Sequence, residues 1–565
     1  MKTNIKVPFL FLFLVLITGI SISCKKEKGN QRLIAVRTFA DNVLEKGIDR
    51  WSGKNTPLLA DGINTDTNEP LEYVYDGSTG VRGEGGPPNK WIMHNLANQQ
   101  NLFRTFVALS NLTGDPKYRE AAEKSIRFHF DSLRDESGLF HWGGHEFIDL
   151  RTLKPIGHAW RQNLHSHELK NVYPFYDLMW EVDKEKTAEF IRAFWNAHVI
   201  DWSRLDFNRH GAYNKKMGQL WNSEYHQPEP FFEGDGLTFL NTGSDLIYAG
   251  SILYSLNGEE GALTWSKRLA EQYVRARHPK TGLGAYQFSK PIRHKQPPDG
   301  PLTGQFTFSD YGDRAENQFG RDFPGVALEG WELFNGDGIY TLPALMQLEL
   351  AERLGDKGKE FIDWTLSGLY AYAKYAYKTA DNTFSPMWAD GTDLTGYTFK
   401  RTGYYGPEGH VLKPSKADEL YLFTYSRALR FSMHTKCWQY FLDRDTSIIR
   451  SIWRGLGLGD PGTQHSRDIN WDTDNSSPYV IFALLEWHKV WRDRGSLRLA
   501  ERVADNLLAR SFHNGFFVSD EKSTIAEFDA IEPLALLALE AALRGEPEKV
   551  PVFSGGRNHI DLKTE

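Results

Sequence analysis

"NLFRTFVALSNLTGDPKYREAAEKSIRFHFDSLRDESGLFHW", Asn101 to Trp142, carries the pattern that decides the fold. One helical run ends near Asn111 and a TGDP turn comes next. Pro116 suits the first turn of the next helix, where its missing N–H leaves no bond unmade. The second run places Ala121, Ala122, Ile126 and Phe130 at close to i, i+4 spacing, which gives one buried face, and it stops before Gly138. The unit is a helical hairpin followed by an aromatic, glycine-rich loop.

The unit recurs. "DKEKTAEFIRAFWNAHVIDW" leads to "HGAY" at His210, and "EEGALTWSKRLAEQYVRARHPKTGLGAY" leads to Tyr286. "GDKGKEFIDWTLSGLYAYAKYAY" leads to "NTFSPMW", and "GSLRLAERVADNLLARSFHNGFF" ends at Phe517. Repeated helix pairs build a core by stacking neighbours. The long loops fall on the same side of each hairpin, so the chain is predicted to be all-α, six or seven hairpins closed into an (α/α) toroid. That toroid is expected to be a single catalytic domain over residues 33–550, between a tether at 25–32 and a tail at 551–565.

Ahead of the tether, Lys2 and Lys6 flank the start of an apolar run, Val7 to Ile20, followed by "SISCKK". This reads as a secretory signal over residues 1–24, with Cys24 as a lipidation site. The expected location is periplasmic or outer-membrane anchored, with membrane contact through the lipid alone. After Cys24 only Cys437 remains, which excludes an internal disulfide and a cysteine-rich metal site. A net charge of −7 with no basic stripe excludes a nucleic-acid partner. The 17 tryptophans and 13% aromatic content suit a cleft on which sugar rings stack, and equally a large helical core.

The inner helices of such a toroid are expected to begin near His94, Asn163, Asn241, Gly338, Asp418, Ser476 and Glu527. Polar groups crowd several of these positions. "RQNLHSHELKN" brings Arg161, Asn163, His165 and His167 to a helix mouth, where free N–H groups favour an anion. "WNSEYHQ" adds Tyr225 and His226, "SDYGDRAENQFGR" adds Tyr311 and Arg314, and "HWGGH" adds Trp142. A set rich in Tyr, His, Asn and Arg, with dispersed carboxylates, fits β-elimination on a uronic acid. The carboxylate must be neutralised so that the neighbouring C–H becomes acidic, a base must take that proton, and an acid must protonate the leaving oxygen. Asn163 and His165 are assigned to the neutralising and base side, and Tyr225 and His226 to proton transfer. Arg161, His167, Tyr311, Arg314 and Trp142 are assigned to substrate binding.

"LTGDPKY" followed by "GLFHWGGH" resembles the outer-helix and loop pattern of (α/α)-toroid carbohydrate enzymes. Among these the chain looks like the uronate-active polysaccharide lyase-like enzymes of Bacteroidota, a group that includes ulvan oligosaccharide dehydratases. The resemblance implies a carbon–oxygen lyase acting on glucuronic or iduronic acid of an anionic, sulfated oligosaccharide. It leaves chain scission and dehydration open.

Two other classes remain. A glycoside hydrolase on the same toroid would draw on Asp235, Asp337, Asp472, Asp474 or Glu527. A glycan-binding outer-membrane lipoprotein would need no convergent polar set. No cofactor is expected. The side reading is a zinc or calcium ion, zinc using three of His141, His145, His165 and His167, or two of them with Glu146.

Overall fold

A computed structural model describes residues 31–75, 89–144, 146–157, 165–236, 240–284, 288–290, 318–319, 322, 341–403, 405–433, 438–462, 467–555 and 563–564. The first helix, α1, spans residues 31–46. The deciding stretch is the hairpin its pattern predicts: α2 (Gln100–Thr113) and α3 (Lys117–Ser132), joined by a turn in which Gly114 adopts φ +75°. Tyr118, Ala122, Ile126 and Phe130 form the buried face of α3.

The same construction continues around the molecule. Helices α4 (Tyr176–Val182) and α5 (Lys184–His198) are followed by α6 (Leu240–Asn257) and α7 (Glu260–Arg275). Next come α8 (Thr341–Leu354) and α9 (Lys359–Tyr375), then α10 (Glu419–Ser432) and α11 (Trp438–Gly455). The circuit ends with α12 (Pro478–Trp491), α13 (Arg494–Ser511) and α14 (Glu532–Arg544). Each even-numbered helix from α4 onward packs on the next: α4 on α6, α6 on α8, α8 on α10, α10 on α12, α12 on α14, and α14 back on α2. Arg104 of α2 closes the remaining gap by donating to the Tyr173 carbonyl (2.8 Å) just ahead of α4. The result is a closed (α/α) toroid with seven inner helices among the described residues.

Helix α1 completes the outer layer. Arg32, expected in a tether, is buried and donates to Glu540 (2.6 Å) and Asp505 (3.3 Å), while Tyr118 of α3 donates to Asp41 (2.8 Å). The tether reading therefore ends too late: residues 31 and 32 are helical.

The expected tail is corrected in the same way. Phe553 is buried between Phe482 (ring centroids 5.2 Å) and Phe423 (6.3 Å). The Ser554 hydroxyl accepts from Arg104 (3.1 Å), and the Phe553 carbonyl accepts from Arg427 (3.5 Å). Phe553 and Ser554 thus pack inside the ring and tie α2, α10 and α12 together. One aromatic among polar neighbours leaves no periodic trace in the sequence. Phe553→Ala is expected to lower unfolding free energy by about 3–5 kcal/mol, as large-to-small changes in a packed core do. Denaturant titration checks this, and a loss below about 1 kcal/mol would show that the segment does not brace the ring.

Short strands interrupt the helices. Strand β1 (Gly62–Asn64) pairs with Ile525–Glu527, which brings the two ends of the circuit together. Strands β2 (Glu72–Tyr75), β3 (Asn89–His94), β4 (Glu146–Asp149) and β5 (Lys154–Gly157) are antiparallel neighbours, and the strand Lys563–Thr564 joins the β2 edge. No helix among the described residues is long and apolar enough to cross a membrane.

Candidate active site

The second inner helix begins at Tyr176, not near Asn163. His165 and Ser166 are irregular, and His167–Glu168 form a two-residue strand, β6. That strand pairs antiparallel with His210–Gly211, so that His167 faces Gly211 and Glu168 faces His210. The helix-dipole argument for the histidines therefore fails, and pairing between two loops replaces it. Asp245 of α6 anchors the segment leading to α4, accepting from the backbone N–H of Asn171 (2.8 Å) and Val172 (2.7 Å).

Around β6 the structure gathers charge. Glu168 is buried, and its carboxylate lies 3.2 Å from Lys170 Nζ, 3.6 Å from Arg209 Nη1 and 3.8 Å from His210 Nε2. Lys170, Arg209 and His210 are each partly exposed, so the lysine and the arginine present positive charge to solvent while one buried carboxylate holds the group together. Glycine makes this possible. Gly143 has φ +105°, and a Cβ there would lie 2.8 Å from His167 Nε2. A Cβ on Gly144 would collide with the Glu168 carboxylate.

A second group adjoins the first. Glu146, at the start of β4, is fully buried and accepts from His141 Nδ1 (2.7 Å) and His165 Nδ1 (2.7 Å) on one oxygen. Its other oxygen has no hydrogen-bond partner among the described residues. The hydrogen bond to Glu146 raises the His165 pKa above its ordinary 6.5, against a smaller opposing effect of burial. His141 stacks on Tyr213 with centroids 4.5 Å apart. The ligating atoms of His141, Glu146 and His165 all lie within 4.8 Å of one another, a donor set that a divalent transition metal accepts. Of the histidines offered as ligands, His145 lies outside the described residues.

Other residues assigned from the sequence lie elsewhere. His167 and Trp142, assigned to substrate, are buried at 1% and 0% exposure, and their rings pack on each other 4.8 Å apart. Neither can touch a sugar; both support the floor of the site. His167 donates instead to His198 Nε2 (2.8 Å), and His198 donates through Nδ1 to the Asn208 carbonyl (2.7 Å). Burial lowers the His198 pKa to about 3, so this ring is neutral.

Tyr225 packs against α7, meeting Gln272, Trp265 and Arg268. His226 is 67% exposed beside Glu224. The structure does not bring this pair to the His165 group. Arg161, Asn163, Tyr311, Arg314, Asp337 and Cys24 lie outside the described residues. Glu168, Lys170, His198, Arg209 and His210 are candidate site residues that helix phasing missed. For four of them the signal was "HELK" beside "NRHG", which becomes legible only once the two are paired.

A cleft of about 790 Å3 opens at the N-terminal ends of α12 and α14. Asp474, Tyr479, Arg510, Glu527 and Asp529 line it. Two of the carboxylates offered for hydrolysis, Asp474 and Glu527, therefore face this cleft, and Asp235 and Asp472 are exposed.

A closed helical toroid with a cationic, proton-handling rim is an architecture suited to a polysaccharide lyase. The chain belongs to the periplasmic pectate lyase family, whose model matches residues 56–562. It is 36% identical over 550 residues to the pectate disaccharide-lyase of Dickeya dadantii (strain 3937), covering 95% of this chain and 94% of that one. Solved structures are more distant. The GH76 alpha-mannanase of Bacteroides thetaiotaomicron has 8% identity and a TM-score of 0.41, covering 90% of this chain and 96% of that one. A D-mannose isomerase has 10% identity and a TM-score of 0.42, covering 91% and 98%. Family membership makes the chain a lyase, in preference to the hydrolase and the binding lipoprotein, and a periplasmic family agrees with export.

Proposed function

We propose that the protein cleaves pectate by β-elimination, releasing short products that carry an unsaturated uronate at the non-reducing end. The observation that supports this best is the convergence of Lys170, Arg209 and His210 on buried Glu168, next to the His165–Glu146 pair. Lys170 and Arg209 neutralise the uronate carboxylate, which acidifies the C5 proton. With His165 Nδ1–H committed to Glu146, the ring offers Nε2 as base, and the buried carboxylate stabilises the imidazolium that forms. The electrons of the C5–H bond form the C4–C5 double bond as the C4–O bond breaks. His210 replaces Tyr225 as the donor to the leaving oxygen, because Tyr225 packs against α7.

The pH dependence follows from the His165 shift. A base must be neutral, so kcat/KM should rise with pH through a value above 6.5, and Glu146→Gln should move that rise to lower pH. The stability effect has the opposite sign. The His165–Glu146 ion pair stabilises the fold fully below pH 6.5 and loses its effect as pH passes the raised folded value. A rise unmoved by Glu146→Gln would remove His165 from the role of base.

The donor set favours a second reading, in which His141, Glu146 and His165 hold a divalent cation. Such an ion would supply Lewis-acid neutralisation of the uronate carboxylate. Dialysis against a chelator separates the readings: activity unchanged supports His165 as free base, and activity lost and restored by Mn2+ or Zn2+ supports the cation.

The reaction itself is tested on polygalacturonate and on ulvan oligosaccharides, following ultraviolet absorbance of the unsaturated uronate together with product masses. Absorbance with release of disaccharide supports the proposal. Loss of one water without shortening would make the enzyme a dehydratase, and ulvan turnover would transfer the substrate to sulfated chains. No absorbance on any uronate would overturn the elimination.

A further inference from the structure

The reacting groups assigned above sit on very little secondary structure. Strand β6 is two residues long and its partner His210–Gly211 is two residues long. Beyond their register, Leu169 N–H donates to the Arg209 carbonyl (2.9 Å). So short a ladder holds few backbone bonds, and Arg209 and His210 lie on a loop that also needs a fixed shape.

The last turn of α5 supplies it. The His198 carbonyl accepts from Asn208 N–H (3.0 Å), and the Ala197 carbonyl accepts from Ala212 N–H (3.2 Å). Between these two bonds, the His198 ring donates through Nδ1 to the Asn208 carbonyl (2.7 Å). A carbonyl only accepts, so Nδ1 carries the proton and Nε2 is left as an acceptor. The His167 Nδ1, 2.8 Å from that Nε2, is therefore a donor. The His198 ring also fills the space against Gly211, where a Cβ would lie 2.6 Å from Nε2. One buried imidazole thus bonds to β6 through His167, next to Glu168, and to the loop leading into its partner strand through Asn208, next to Arg209.

We infer that His198, working through His167, is a positioning residue that sets Arg209 and His210 against Glu168 in the geometry the elimination needs. It touches no substrate, because it is fully buried. The inference rests on the proposed role of the Glu168 group. Misplacement of reacting groups by about 1 Å reduces turnover about 10²-fold. Its effect belongs in kcat, because the exposed ends of Lys170 and Arg209 still bind the anion.

The test uses the full chain and four variants, His198→Gln, His198→Ala, His167→Asn and His167→Gln, each with a melting temperature and full kinetics on polygalacturonate. His167→Asn keeps a donor near the Nδ1 position, whereas His167→Gln moves it. The expected result is a kcat about 10- to 100-fold lower for His198→Ala and His167→Gln, with KM within about threefold. His167→Asn should recover most of the loss at a melting temperature similar to that of His167→Gln. Equal losses in both His167 variants, or losses that simply track melting temperature, would overturn the inference. A raised KM at unchanged kcat would do the same. Nitrogen-15 imidazole spectra of the unmodified protein give an arm independent of turnover. An Nδ1–H tautomer at His198 supports the clamp even if the substrate reading fails, and an Nε2–H tautomer overturns it.

Discussion

Replacing Glu168 with glutamine is expected to reduce kcat/KM on polygalacturonate by about 10²- to 10³-fold. Glu168 is buried, and Lys170, Arg209 and His210 gather on its two oxygens at 3.2–3.8 Å. Removing one partner from a desolvated charge group costs about 2–5 kcal/mol, much of it from the charges left unpaired. Glutamine keeps the shape but removes the negative charge, so Lys170 and Arg209 repel each other and the group spreads. About 3–4 kcal/mol lost from the transition state corresponds to that fall in rate. The charge-removing variant should act mainly on kcat if spreading disorders the reacting geometry. A variant with activity within about fivefold of the unmodified enzyme would show that Glu168 does not organise the rim.

A stability effect as large as that of Phe553→Ala is expected on the far side of the ring. Glu486 of α12 is buried, and its oxygens meet Arg430 of α10, Arg427 Nε at 3.5 Å and Lys489 Nζ at 3.2 Å. Arg430 also reaches Glu352 of α8 with two bonds of 2.9 Å, so three adjacent inner helices share one network. Burial pushes the Glu486 carboxyl up, but Lys489, Arg430 and Arg427 outweigh it and hold it well below 4.5. Glu486→Gln leaves two guanidinium groups in the interior without this counter-charge and should cost about 3–5 kcal/mol in denaturant unfolding. The sign with pH follows from the depressed value. The stabilisation is complete above about 4.5 and is lost as pH falls through the folded pKa. The difference between the two proteins should therefore narrow on acidification, and a gap constant with pH would place its origin in packing.

Helical hairpins were legible because their signal is periodic and local. Ala122, Ile126 and Phe130 mark the buried face of α3, and Pro116 with Gly114 marks the turn before it. Inner-helix starts read from sequence fell within a few residues at Leu240, Glu419 and Pro478. The second failed by 13 residues, Asn163 against Tyr176, because the polar stretch ahead of α4 reads as a helix mouth. It contains a strand two residues long, below the length at which alternation can be detected.

His165 was singled out by the company it keeps in "HSH", yet its hydrogen-bond partner Glu146 lies 19 residues earlier, on strand β4. The burial of His167 and Trp142 is likewise a property of packing, since aromatic and imidazole side chains serve open clefts as readily as cores.

The sequence by itself determined a ring of paired helices and an elimination-competent mixture of side chains. Each follows from composition or from spacing within one helix. Only the tertiary structure decided which polar groups meet. Glu168 joins Arg209 and His210 across the whole of the α4–α5 hairpin, and Phe553 closes the centre of the ring from the far end of the chain. Contacts between elements depend on how loops return to one another, and a loop of irregular backbone leaves no repeat for the sequence to display.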